Sequence, residues 1–374
     1  MLSIISGFCP QRKTYDVNRV GPGPSSTFLL KIVPDLALFG KWMQERALVR
    51  GIYSAIYYST VEAAPSRMRY SWVPLAVGGI MLPGIASIAK SMMPWWARIP
   101  VKIALSAAPV KVQHLKKLGL FHFGDMDRPE YALRVFDQHF AAFERFRTTP
   151  PGSAFTSVEL GPGDSLFSAI IARARGALQT YLVDAGDFAQ RDIALCRAIA
   201  RQLGREDLAP EICQTVDEVL AHCSGRYLTS GLASLRTISS ASVDFLWSHA
   251  VLHAVRSEEF GETIAQLRRV MRPGGVCSHE VDLRDMLGGS LNHLRFSDRF
   301  WESRWTARTG FYGNRIRFTE MMNTFGRSGF SVISVEKKCW QKLPVARSKM
   351  AGRFCEMDES ELLVHGFQVV LRAN

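Results

Sequence analysis

Val158-Glu-Leu-Gly-Pro-Gly-Asp164 closes an apolar run containing Phe155, Val158 and Leu160, and opens onto apolar positions at Leu166, Phe167, Ile170, Ile171 and Ala174. An apolar run, two spaced glycines and then a helical repeat read as strand, tight turn and helix. Gly161 and Gly163 let the backbone turn sharply and let a flat ligand approach without meeting a Cβ. The chain is therefore expected to bind a nucleoside-like molecule at this turn.

Charge decides which nucleoside. A dinucleotide turn has a third glycine and a helix N-terminus open to pyrophosphate. Here the third position is Leu166, and Asp164 stands where the helix is expected to begin, as its cap. Glu159 adds a second carboxylate just before the glycines. Two carboxylates repel phosphate and suit an ammonium or sulfonium group, which points to S-adenosylmethionine.

Further landmarks follow in order. Thr180-Tyr-Leu-Val-Asp184 is a short strand ending in an acid 25 positions after Glu159, where a carboxylate can accept from both ribose hydroxyls. Ser242-Val-Asp-Phe-Leu-Trp-Ser-His-Ala250 reads as a later strand with its loop, and Leu267-Arg-Arg-Val-Met-Arg-Pro-Gly-Gly275 as a helix end and turn before another strand at about 276–281. With these landmarks, residues 155 to about 280 resemble a class I S-adenosylmethionine-dependent methyltransferase. The resemblance implies an α/β fold: a doubly wound, Rossmann-like, seven-stranded sheet whose last two strands, Phe330 to Glu336 and Val364 to Leu371, form an antiparallel hairpin. It implies cofactor contacts at Glu159, Gly161, Gly163, Asp184, Leu232 and Ser248.

The intervening helices are legible from periodicity and charge. From Ser257, read as an N-cap, Glu258 and Glu259 fill the first turn, Phe260, Ile264, Leu267 and Met271 share a face, and Arg268, Arg269 and Arg272 crowd the last turn. Pro273-Gly274-Gly275 is expected to stop that helix. Ile193, Cys196, Ala200 and Leu203 make a second core stripe. A helix is expected to begin near Pro129, with Val135, Phe136, Phe140 and Phe143 packed on the sheet. His122, Asp125 and Asp127 before it are alternatively a lid over the cofactor. Arg315 to Arg327 reads as another helix.

The chain has 374 residues and 47% hydrophobic content, which excludes a disordered protein. It is read as two parts, a mainly helical extension over 1–117 and a catalytic domain over 118–374. Its seven cysteines are scattered without a Cys-x-x-Cys pair, which argues for a reducing, cytoplasmic setting and against zinc or disulfides; no metal is expected. Residues 1–120 hold 15 Lys and Arg against 4 Asp and Glu, so nearly all of the net charge of +12 lies there. The same third contains an uncharged run over 71–89 followed by Trp95 and Trp96. Peripheral membrane contact, a buried helical cap or oligomer surface, and a membrane span all stay open for it. Its bases are interleaved with apolar residues rather than clustered, which argues against nucleic acid. The sequence does not specify an oligomeric state.

Transfer of a methyl group to a hydroxyl calls for positioning and a base. The candidates are His249 and His253, which share a face if the loop between them is helical, and His279. A polar insertion, about 282–325, is expected to cover the substrate, with Asp282, Asp285, Asn292 and Arg295 facing it. His279-x-x-Asp282-Leu283, Arg295-Phe-Ser297 and Gly310-Phe-Tyr-x-Asn314-Arg-x-Arg317 resemble a subgroup associated with bacterial polysaccharide gene clusters, which implies a sugar or glycan acceptor that is small or lipid-linked. A hydrophobic acceptor such as a quinone or lipid is the alternative. Ala254, Met286 and Ser230 stand where the family commonly has His, His and an acid, which leaves a third reading, a cofactor-binding protein without catalysis.

Overall fold

The computed structural model describes residues 94–107 and 125–374. The run over 71–89, His122 and the boundary at 117 lie outside the described residues. Helix α1 (Arg98–Ala107) precedes α2 (Pro129–Phe146), β1 (Phe155–Leu160), α3 (Phe167–Ala174), β2 (Ala177–Val183), α4 (Ile193–Gln202), α5 (Val216–His222) and β3 (Gly225–Leu228). Then come α6 (Leu232–Thr237), β4 (Val243–His249), α7 (Ser257–Val270), β5 (Met271–Asp282), α8 (Phe318–Arg327), β6 (Phe330–Cys339) and β7 (Val364–Ala373). The strands form one sheet in the order β3-β2-β1-β4-β5-β7-β6. The first five are parallel, and β7 lies antiparallel between β5 and β6. This is the expected doubly wound α/β architecture with an antiparallel end. The order reverses between β1 and β4, and ligands bind such sheets at the carboxyl ends of strands flanking that switch.

Alternating side chains feed two cores, one on each face. On one face α2 to α5 pack against the sheet, with Phe136, Phe143, Phe245 and Trp247 at the centre. Phe143 stacks on Phe245 at 4.8 Å, and Phe136 meets Trp247 edge-on at 5.7 Å. The helical spacing of 135, 136, 140 and 143 produces this contact. On the other face α6, α7 and α8 bury Leu235, Ile264, Leu267, Met321 and Phe325 against Val158, Leu246 and Phe367.

Several boundaries differ from the sequence expectation, each for a local reason. Asp164 is buried and does not cap α3, which starts at Phe167 after Leu166. Ser257 is the first residue of α7 rather than its cap. Its hydroxyl donates to Glu302 at 3.0 Å and its N–H to the Tyr312 hydroxyl at 3.1 Å, so a tertiary contact replaces the local one. That helix ends at Val270, and Pro273-Gly274-Gly275 lies within β5. The helix expected from Arg315 begins at Phe318, because Arg315 sits at φ +58°, in the left-handed region that a right-handed helix excludes.

The segment between β5 and α8, residues 283–317, closes over the loop after β4. Asn314 Nδ2 donates to the Leu252 and Val255 carbonyls at 2.8 and 2.9 Å, and its N–H donates to the His253 carbonyl. Trp301 Nε1 donates to the Gly313 carbonyl at 2.7 Å. Among the described residues no helix is long and apolar enough to cross a membrane.

Candidate active site

The carboxyl ends of β1 and β2 gather Glu159, Gly161, Gly163 and Asp184. Gly161 turns at φ +73° and donates its N–H to the Val183 carbonyl at 2.7 Å. A Cβ there would lie 2.4 Å from a Val251 methyl, so the glycine is needed for both conformation and space. Gly163 N–H donates to Asp184 Oδ2 at 3.0 Å, and Ala185 N–H to Oδ1 at 2.7 Å. The acid at the end of β2 is thus held facing the glycine turn. Gly161→Ala is expected to weaken cofactor binding at least tenfold and to cost about 1–3 kcal/mol of stability. Calorimetry and urea unfolding read the two effects.

Glu159 is buried beside the Ser168 hydroxyl, and its Oε2 has no hydrogen-bond partner among the described residues. Burial pushes its carboxyl up to about 8; Ser168 pulls the other way, and the Asp184 charge adds to the rise. With the folded value above the ordinary 4.5, stability is full below that pH and falls as pH rises toward 8. Glu159→Gln removes this loss, so the variant's Tm should gain on wild type from pH 5 to 8. A bound cation favours the carboxylate. Cofactor binding at pH 7 should therefore release a proton, read by calorimetry in buffers of different ionisation enthalpy. Binding without proton release would contradict this placement.

Leu232 opens α6 directly after Gly231, whose N–H donates to the Asp184 carbonyl at 2.8 Å, so it lies at the same rim. Ser248 does not. It is fully buried, and its hydroxyl lies 2.8 Å from His279 Nδ1. His279 is buried too, parallel to the Phe325 ring at 5.9 Å, and burial pushes its pKa down to about 3. This Ser248–His279 pair belongs to the core beneath α8, which corrects the expectation of a base at His279 and of a cofactor contact through the Ser248 side chain.

Parallel pairing sets the neighbouring residues, His249 and Glu280, opposite each other. His249 Nε2 lies 3.3 Å from the Tyr131 hydroxyl of α2, and Nδ1 lies 3.6 Å from Glu280 Oε2, an ion-pair distance rather than a hydrogen bond. Both His249 and Glu280 side chains keep 20% exposure. Burial lowers the His249 pKa against the pull of Glu280, so the ring is neutral near pH 7. Glu280 is fixed by Lys338 at 2.8 Å and Gln138 at 3.2 Å, and despite partial burial these contacts hold its pKa below the ordinary value. A neutral imidazole between a phenol and a carboxylate can accept a proton and be stabilised once charged.

His249 and His253 do not share a face. The loop between them is a turn, with Ala250 at φ +54°, and His253 is buried beside residues 313–317. The insertion residues mostly serve their own loop. Asp285 accepts from the N–H groups of Leu287, Gly288 and Asn292; Asn292 Oδ1 accepts from Arg295 Nε at 3.1 Å; and the Arg295 guanidinium lies over Trp95 at 5.2 Å. This corrects the picture of Asp285, Asn292 and Arg295 as a substrate face. Asp282 holds Arg284 through both carboxylate oxygens.

Sequence reasoning missed Tyr131 and Glu280. Tyr131 sits one helical turn before Val135 on a helix read only as packing. Glu280 adjoins His279, one of the three candidate histidines, and strand alternation separates the two faces.

Residues 158–278 match the family described as a methyltransferase domain. No curated protein is similar to the chain. Among solved structures, an S-adenosylmethionine dependent methyltransferase from Mesorhizobium loti is 18% identical, with 67% of this chain and 98% of that chain covered and a TM-score of 0.35. A SAM-dependent methyltransferase from Methanosarcina mazei is 15% identical over 59% and 92%, with a TM-score of 0.36. A chain from the complex of the Haloferax volcanii Trm112 methyltransferase activator with a methyltransferase is 17% identical over 66% and 96%, at 0.35.

Residues 158–278 thus match a methyltransferase domain, within a seven-stranded sheet that ends in the antiparallel strands the resemblance implies. The protein is an enzyme that methylates with S-adenosylmethionine. The residues present fit that cofactor: a glycine turn with no room for a Cβ, a carboxylate facing it from β2, and a buried carboxyl oxygen awaiting a donor.

Proposed function

We propose that the enzyme methylates a hydroxyl of a sugar or glycan, with His249 as general base. The arrangement of Tyr131, His249 and Glu280 carries the reading, because a hydroxyl must lose a proton as it is methylated. Bound S-adenosylmethionine supplies the methyl group and leaves as a neutral thioether. Tyr131 meets the acceptor hydroxyl and orients it, His249 Nε2 takes up the proton, and Glu280 at Nδ1 stabilises the imidazolium. The segment over 283–317 excludes water from above. The sugar rests on the motifs of that segment, which resemble those of enzymes from polysaccharide gene clusters.

The test is methyl transfer from labelled S-adenosylmethionine to a panel of sugars, sugar acids and quinols. Transfer to a sugar that requires His249 supports the reading, whereas preference for quinols or no transfer to any hydroxyl overturns it. Because the His249 pKa is lowered, kcat/KM should rise through an apparent pKa below 6.5 and stay level to pH 8. That limb should disappear in His249→Ala.

A further inference from the structure

Beneath the covering segment, where it meets the loop after β4, lies a small polar cavity walled by His253, Asp282, His293, Asn314, Arg315 and Arg317. It has room for about one water-sized group. His253 is 4% exposed, and neither of its ring nitrogens has a partner. His293 Nδ1 and the Nε atoms of Arg315 and Arg317, all buried, also lack partners. The acceptors in the wall are engaged elsewhere: Asp282 holds Arg284, and Asn314 Oδ1 accepts from Ile316 N–H at 3.1 Å. Buried polar groups without partners are rare and costly, and here two arginine Nε–H donors and nitrogens of two neutral imidazoles belong to residues lining one hole.

The lining carries three arginines, Arg284, Arg315 and Arg317, against the one carboxylate of Asp282. Arg315 has Asp298 at 2.6 Å and Glu302 at 3.7 Å, but Arg317 is bonded only to backbone carbonyls. Arg315 is held at φ +58°, a conformation that arginine adopts only under constraint and that recurs at ligand sites.

We infer that this cavity is an anion site taking one carboxylate of the methyl acceptor. A positive, donor-rich hole needs an acceptor that brings negative charge. Room for one oxygen-sized group admits a single carboxylate oxygen, with the rest of the group at the mouth, and not the bulkier phosphate. The inference rests on the hydroxyl-methylating reading for the acceptor's presence and deepens it: the acceptor is a sugar acid rather than a neutral sugar. His253 then contacts the acceptor's acid group and is not the base.

The test uses the full chain saturated with S-adenosylhomocysteine, labelled with nitrogen-15 at histidine, and titrated with formate at constant ionic strength. His253 and His293 ring nitrogens should shift saturably, with a Kd on the order of millimolar. Inorganic phosphate should produce no saturable shift. His253→Phe, nearly equal in size, should weaken formate binding at least about tenfold. If that variant does not fold, the His293 signals of the wild type carry the test. The absence of a saturable shift at either histidine overturns the site, and phosphate binding as tightly as formate overturns its preference for carboxylate. No turnover is read, so failure here leaves the His249 reading standing, and failure of His249→Ala to lose activity leaves the anion site standing.

Discussion

Replacing Arg317 by methionine should destabilise the domain by about 3–5 kcal/mol. Its guanidinium is 1% exposed and donates to the carbonyls of Leu283, Glu361, Leu362 and Val364 at 2.5 to 3.3 Å. Those carbonyls belong to the start of the covering segment and the entry to β7, so one side chain ties the cover to the sheet. Methionine matches the length and removes every donor, which leaves the carbonyls buried without partners. Burial lowers the Arg317 pKa to about 10, so the side chain stays charged at neutral pH. Lysine should rescue only part of the loss, since a point charge cannot serve carbonyls spread across a planar fork. Urea unfolding checks this, and a midpoint unchanged by Arg317→Met would show that the fork is not holding the cover.

His249→Ala should lower kcat by about 10² to 10⁴-fold, the usual worth of general base assistance, while calorimetric affinity for S-adenosylmethionine stays within about threefold of wild type. The separation follows from placement: the glycine turn and Asp184 bind the cofactor at β1 and β2, while His249 stands at the end of β4 between Tyr131 and Glu280. Glu280→Gln should cost less and move the acid limb of the pH profile downward, because it removes a charge that favours the imidazolium. Steady-state rates with a sugar found in the panel decide it. An unchanged kcat in His249→Ala would remove the base from the mechanism.

What the sequence shows depends on how local the cause is. The Gly161–Gly163 turn, the acid ending β2 and the aromatic face of α2 follow from residues a few positions apart, and all three are present. Ser257 and Arg315 depart from their local signals because their surroundings come from afar: Glu302 and Tyr312 take the serine's polar groups, and the covering segment holds the arginine out of a helix. The site was half legible for the same reason. His249 is one of three histidines the sequence offers as a base, and separating it from His279 and joining it to Glu280 needs the register between β4 and β5, while Tyr131 needs the docking of α2. The cavity around His253 joins the loop after β4 to residues 282 through 317, and no short motif encodes that junction.

Cofactor binding at the glycine turn is tested by calorimetry of S-adenosylmethionine with the wild-type chain and with Asp184→Ala, using NAD as a control ligand. Binding is expected at about micromolar Kd, weakened at least tenfold in the variant, with no heat from NAD. A folded wild type that does not bind, or an affinity indifferent to Asp184, would contradict it.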